Sequence, residues 1–531
     1  MKVLSGSIGA VACLASLCMQ ISAADPVEVD VVLKSGVIVD GTGEPAFVGH
    51  VGIRGETIVA VGDFEYSGSP HVIDCSGLIV APGFIDLHNH SDWLIVEAHT
   101  RSNMNFVMQG CTTVVTGNCG SGPVHVADYY AKIDEHGAGT NVAHLLTHGS
   151  MRNEVMGSGD RLADPDEIEA MRRLAEAAMQ DGAWGMSTGL IYVPGCYSDT
   201  DELVAICEVI AKYDGIYVSH MRNEGTDLLA SVAELLEIGR RANLPVHASH
   251  FKASGRDAWG LVRQAAEMIE QARQSGQAAT ADQYPYIASS TSLDATVIPT
   301  WARAGGREDL IGRLDDEEIG PRLREEMAEA IRKKDDGRAV RFARYSPHPE
   351  WVGMNLRDVA DAEGKSPLEI AEEVARNGGA TIVNFSMSED DVRDTMQWPW
   401  VATASDGRAT LPGADKPHPR FYGTFPRKIG YYCLQEKVLP LEQAVRSATG
   451  LPADILGMTD RGYLREGQAA DLVVFDPERF IDTATFDDPH RYGQGVQYLF
   501  VNGVTAVSRG GATGALAGRA LRKQAREASA P

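Results

Sequence analysis

Gly83-Phe84-Ile85-Asp86-Leu87-His88-Asn89-His90 is an apolar run that ends in His-x-His. Residues i and i+2 of a strand point to the same face, so the imidazoles of His88 and His90 can reach one metal ion. A lone His-x-His is more often a pair of core histidines, and the weight here comes from four residues further along the chain. Cys119 sits in Thr112-Thr113-Val114-Val115-Thr116-Gly117-Asn118-Cys119-Gly120, directly after an apolar run. His220 ends GIYVSH (215–220), His250 ends LPVHASH (244–250), and Asp406 ends VATASD (401–406). A thiolate and two imidazoles make a good zinc set, with a fourth position left open for water.

These residues close strand-like runs within an alternating pattern. Apolar runs such as AHLLTHG (143–149), AWGMSTG (183–189) and TIVNFSM (381–387) are separated by amphipathic helical patterns. Two of the clearest helices are PDEIEAMRRLAEAAMQDG (165–182) and DLLASVAELLEIGRRANLP (227–245). Strands alternating with helices predict a parallel sheet, and about eight such units favour an α/β fold of the (β/α)8-barrel type. Such barrels carry their chemistry at the carboxyl ends of the strands, where these polar residues fall. The charge-rich, helical stretch Trp301 to Arg341 reads as an insertion over the barrel mouth.

Outside the barrel pattern, Val29 to Gly83 is a series of short alternating runs broken by Gly and Asn/Asp turns. A matching signature returns in DLVVFDP (471–477) and QYLFVNGVTAVSRG (497–510). Both ends of the chain are therefore expected to build one small β-sandwich. The resulting division is 25–81 plus 455–531 for the sandwich and 82–454 for the catalytic barrel, with an insertion at about 300–345.

The 531 residues carry 48 Lys+Arg against 73 Asp+Glu, a net charge of −25. That balance argues against a phosphate-tracking nucleic-acid binder and against adsorption to anionic lipid. Lys2 followed by the apolar stretch Ile8 to Met19, with Ser22 and Ala24 placed before Asp25, has the layout of a secretory signal over 1–24. Export to the periplasm or medium is the expectation, with no membrane span remaining after cleavage. Six cysteines then remain, at irregular spacing, and are expected to be mostly free and buried.

The ordered set HxH, Cys in GNCG, His in SHMRNEG, His in HASHFKASG and Asp in ASDG resembles the amidohydrolase superfamily. More narrowly, it is similar to the N-acyl-D-amino-acid deacylases (D-aminoacylases), from about Val31 to the tail Gly514-Ala515-Leu516-Ala517-Gly518-Arg519. The Cys of GNCG is the specific part, because hydantoinase and dihydroorotase relatives carry a carboxylated lysine at that bridging position. The resemblance implies a tightly held Zn2+ at Cys119, His220 and His250, with a second, weaker site at His88, His90 and Asp406. It implies hydrolysis of small-molecule N-acyl-D-amino acids, with Asp406 taking the water proton and passing it to the leaving amine. Lys252, Tyr284 and Ser290 fall on the family's carboxylate-binding positions, and Tyr192 is a further candidate. Arg222 and Glu224 are expected to pair with each other, and His148 and His247 to support or pack. His125, His136 and His144 have no usable spacing. Arg420 or Arg427 is expected at the mouth. The nearest alternatives are a cyclic-amide hydrolase or a D-dipeptidase on the same barrel, and a remote one is a catalytically silent exported binding protein.

Overall fold

A computed structural model describes residues 25–524 of the protein. The expected leader over 1–24 lies outside the described residues. Eight parallel strands form the barrel wall: β1 (Phe84–Asp86), β2 (Cys111–Thr116), β3 (Asn141–His144, resuming at Leu146–Thr147), β4 (Gly185–Gly189), β5 (Ile216–His220), β6 (Val246–Ala248), β7 (Ala279–Gln283) and β8 (Val401–Thr403). Each pairs in parallel with the next. A parallel bridge between Asn89 and Gly407 joins the first strand to the last just past their ends. There His90 N donates to Gly407 O at 2.7 Å, and Asp406 N donates to His88 O at 2.8 Å.

The intervening helices form because their sequences supply both an end signal and an apolar stripe. Helix Pro165–Gln180 starts with proline in its first turn, behind a capping box of Asp164 and Glu167. Such a cap contributes about 1 kcal/mol. Met171, Ala175, Ala178 and Met179 then fall on the buried face. Inside the barrel, Val218 shares a strand face with His220, two residues on. Val218, Ala402 and Ala404 pack with Leu451, Leu456 and Leu521, so an apolar plug lies beneath the polar rim. The C-terminal tail completes that plug: Leu521 O accepts from Trp184 Nε1 at 2.7 Å.

The two chain ends share one nine-stranded sheet. Its junction is Ile79–Pro82, which pairs antiparallel with Leu472–Phe475. Leu33, Val51, Ile58 and Val80 from the N-terminal part pack with Leu472, Val474 and Phe500 from the C-terminal part. Neither end could bury that apolar face alone. No helix among the described residues is long and apolar enough to cross a membrane.

Between β7 and β8 the chain makes an excursion wider than the expected 300–345. Ala288–Ser292 and Val340–Arg344 flank Thr381–Phe385 in an antiparallel sheet. Helices Arg307–Asp315, Ile319–Arg332, Leu356–Glu363 and Pro367–Arg376 pack on it through Leu310, Leu323, Met327, Phe342, Ile370 and Ile382. The charge-rich helices have only one apolar face each, and the flanking strands supply the surface that covers it.

Candidate metal centre

All six ligand-type residues predicted from sequence meet at the carboxyl ends of the strands. The Sγ of Cys119 lies 3.3 Å from Nε2 of His88, 3.6 Å from Nδ1 of His220 and 3.6 Å from Nε2 of His250. Asp406 Oδ1 lies 3.1 Å from Nε2 of His90 and 3.7 Å from Nε2 of His88. Three overlapping triads have their ligand atoms within 4.8 Å of one another: His88–His90–Cys119, Cys119–His220–His250 and His88–His250–Asp406. Cys119 belongs to two of them, so the cluster is continuous rather than two separate sites.

The backbone is bent to achieve this. Cys119, His250 and Asp406 have φ of 53°, 34° and 49°, in the left-handed region that side chains avoid. Each costs about 1–2 kcal/mol. The turn carrying Cys119 is fixed by Asp92, whose Oδ1 accepts from Gly117 N at 2.5 Å. Gly117 has φ 81°, and a Cβ there would lie 2.1 Å from Leu145 O, so only glycine fits. Beneath the His-x-His, Asp86 accepts from Asn89 Nδ2 at 2.8 Å and from Ser405 N at 2.8 Å, tying the first strand to the last. Burial pushes the Asp86 carboxyl up to about 6, against these bonds.

The donor set, a thiolate with imidazoles, fits a soft divalent ion such as zinc, and a carboxylate stands within 3.7 Å of the far nitrogen of three of the rings. His88 Nδ1 lies 3.5 Å from Asp282 Oδ2, and His250 Nδ1 lies 2.9 Å from Glu224 Oε1. His220 Nε2 lies 3.7 Å from Glu224 Oε2. The carboxylates lie on the outer sides of the rings, and the inner nitrogens face Cys119. Burial raises the Cys119 thiol, but the His88 charge and the hydrogen bonds of His220 and His250 outweigh it and hold it well below its usual range. A buried thiolate among imidazoles is the ligand form. Burial likewise opposes ionisation of Glu224 and Asp282. Lys252 and the histidines hold the first, and His88 and His247 the second, well below the carboxylate range.

One expectation about partners needs correction. Arg222 does not pair with Glu224; its Nε and Nη2 reach Glu234 at 3.0 and 2.9 Å, one helix further on. Glu224 is thereby free to serve the histidines. Of the alternatives Arg420 and Arg427, it is Arg420 that lines the cavity, as expected of one of them. Arg427 turns to Asp482 at 3.1 Å and to Pro285 O at 2.8 Å, where it supports Tyr286.

Above the cluster lies a cavity of about 970 Å3, which Lys252, Tyr192, Tyr284 and Ser290 all line. Lys252 is not a free cation, since its Nζ lies 2.7 Å from Glu224 Oε2. Arg420 Nη1 lies 2.9 Å from Asp406 Oδ2, with its guanidinium carbon 4.6 Å from the Tyr284 ring centre. Ser290 comes from the insertion strand, and its carbonyl faces Arg420 Nη2 at 3.4 Å. Tyr192 meets His220 edge-on at 5.1 Å between ring centres, and its hydroxyl bonds Thr291 Oγ1 at 3.1 Å. His148 is outside the cluster, bonded to Glu202 at 2.9 Å, and His247 holds Asp282 at 2.9 Å. Of the remaining histidines, His144 bonds Thr116 and Pro123 O, and His125 and His136 lie near surface glutamates. All six cysteines among the described residues are free.

The amidohydrolase family's sequence profile matches residues 71–507. The chain belongs to the amidohydrolase family. Among amidohydrolase relatives, a D-aminoacylase of Alcaligenes xylosoxydans xylosoxydans is 35% identical over 527 residues, covering 95% of this chain and 100% of its own. A crystal structure of D-aminoacylase superposes with a TM-score of 0.80 at 33% identity, covering 93% of this chain and 100% of that one. An N-acyl-D-glutamate deacylase from Bordetella bronchiseptica, complexed with zinc and a phosphonate mimic of the tetrahedral intermediate, gives 0.79 at 32% identity. It covers 93% of this chain and 100% of its own.

Proposed function

We propose that this amidohydrolase is a zinc-dependent deacylase that cleaves N-acyl-D-amino acids to a carboxylate and a free D-amino acid. The observation that carries the proposal is Cys119 facing three imidazole nitrogens within 3.6 Å beneath a cavity lined by Asp406, Lys252 and Arg420. Cys119, His220 and His250 would hold the principal zinc, with His88, His90 and Asp406 available to a second. The D handedness and the acyl-amino-acid substrate class are supported by the D-aminoacylase and D-glutamate deacylase relatives. Zinc, when bound, supplies Lewis-acid polarisation of the amide carbonyl and water acidic enough to ionise near neutral pH.

The chain's own groups supply the remainder. Asp406 lines the cavity with its Oδ1 3.1 Å from Nε2 of His90, so it is placed to take a proton from water and deliver it to the amide nitrogen. An unprotonated amine is a poor leaving group, so the second transfer matters as much as the first. Burial works against the ionised Asp406, but Arg420 and His88 hold it well below the carboxylate range. A substrate carboxylate competes with Asp406 for Arg420, and so makes Asp406 a better base when substrate is in place. Lys252, Tyr284 and Ser290 stand beside Arg420 in the same cavity and complete a carboxylate cradle.

The test is amine release from paired N-acetyl-D and N-acetyl-L amino acids by the zinc-loaded chain. Release from D isomers alone is expected. Release from L isomers, or from cyclic amides only, contradicts the proposal. The apolar leader pattern before Asp25 supports a second proposal, that the enzyme acts outside the cytoplasm. Amino-terminal sequencing of the protein from fractionated cells should find a mature start at Asp25 in the exported fraction. A cytosolic chain starting at Met1 contradicts export.

A further inference from the structure

The cavity carries more positive charge than one substrate carboxylate requires. Six cationic side chains line it, Arg222, Lys252, Lys334, Arg344, Arg408 and Arg420, against the three carboxylates Glu224, Asp406 and Asp415. In a chain of net charge −25, an excess of cations at this one place is a local feature of the site and not a sample of the surface. Half of them are already neutralised: Arg222 by Glu234 at 2.9 Å, Lys252 by Glu224 at 2.7 Å and Arg420 by Asp406 at 2.9 Å. Lys334, Arg344 and Arg408 make no ion pair among the described residues.

Two of those three are held near one another by the fold. Arg344 ends the insertion strand Val340–Arg344, and Arg408 lies two residues past Asp406. The loop that follows Arg408 runs back along the strand, where Lys416 N donates to Ala343 O at 2.9 Å. The charge of Arg344 acts against that of Arg408, and Asp415 partly offsets it. The guanidinium carbon of Arg408 rests 5.7 Å from the Phe421 ring centre, which fixes its direction without discharging it. Arg344 is exposed and Arg408 half-buried, both line the cavity without an ion-pair partner among the described residues, and their planar forks suit a carboxylate.

We propose that Arg344 and Arg408 form a second anion subsite, so that the preferred substrates are N-acyl-D-amino acids with a second carboxylate, on the side chain or on the acyl group. This rests on the deacylase reading of the same site and narrows its substrate class. The first carboxylate occupies the Arg420–Lys252 cradle beside the metal cluster, and the second sits further out, between the insertion strand and the loop after Asp406.

The experiment compares charged substrates with neutral isosteres in the zinc-loaded full-length enzyme. One arm sets N-acetyl-D-glutamate against N-acetyl-D-glutamine; the other sets N-succinyl-D-leucine against N-butyryl-D-leucine. At least one arm should show a ten-fold or larger kcat/KM preference for the dianion, expressed mainly in KM and eroded by salt. Arg344→Met and Arg408→Met should each reduce that preference about ten-fold, and Arg344→Lys should restore part of it. The arm that responds identifies where the second carboxylate lies. Ratios near one in both arms, or a preference that both methionine variants retain, overturn the subsite while leaving the deacylase reading intact. Hydrolysis of none of the four substrates, nor of N-acetyl-D-leucine, overturns both.

Discussion

Glu224 Oε1 lies 2.9 Å from Nδ1 of His250, on the opposite side of the ring from the nitrogen that faces Cys119. One carboxylate therefore sets the orientation of a metal-facing histidine and, through its other oxygen, holds Lys252 at 2.7 Å. It ties the metal cluster to the substrate cradle. Glu224→Gln keeps the shape and removes the charge. Zinc affinity, measured by chelator competition, should fall 10–100-fold. Unchanged affinity would reduce Glu224 to a packing residue.

Asp406→Asn should lower kcat by about 10²–10⁴ while the protein retains about one zinc, since Cys119, His220 and His250 stay in place. Metal content and turnover measured on the same sample check this. A variant that keeps both zinc and activity removes the proton-transfer role.

Lys252→Met should raise KM for N-acetyl-D-leucine about ten-fold, an amount typical of losing one charged contact to a carboxylate. The matching amide, N-acetyl-D-leucinamide, should be affected much less. Equal losses on both would mean that Lys252 acts only through Glu224.

The His-x-His, the GNCG cysteine and the strand-end His220, His250 and Asp406 were legible in the sequence because each sits at a fixed offset from an apolar run. Strand alternation and the position of barrel strand ends are local properties. Asp282 was not legible. It reaches His88, just past the first strand, and His247 on the neighbouring strand, and its local signal is a lone carboxylate ending the run Ala279-Thr280-Ala281. Glu224 was seen but given Arg222 as a partner by proximity in sequence, whereas a helix brings Glu234 to that arginine. The insertion was underestimated for a related reason: its first and last strands in the chain, 288–292 and 381–385, are joined by pairing across almost a hundred residues. Partnerships between distant segments leave no periodic trace in either one.

Lys428 is fully buried within the segment Arg427–Gln435, and its ammonium has no hydrogen-bond partner among the described residues. Burial brings it from 10.5 down to about 7. Between those values the unfolded chain binds this proton more tightly than the folded one, so this group makes stability rise with pH from about 7 to about 10.5. Lys428→Met should stabilise the protein at pH 7, by up to about 4 kcal/mol, with the gain shrinking toward pH 10. Thermal melts at pH 7 and pH 10 check it, and a destabilised variant at both would show that the amine has a partner in solution.

The most direct measurement is zinc titration of chelator-stripped enzyme, following N-acetyl-D-leucine hydrolysis and bound metal together in the natural chain and in Cys119→Ser. The natural chain should be inactive when stripped and should regain activity in step with zinc uptake, while the serine variant binds zinc far more weakly and stays largely inactive at the same metal concentration. Full activity in the stripped chain, or a serine variant that binds zinc and turns over like the natural one, would contradict a catalytic centre built on Cys119.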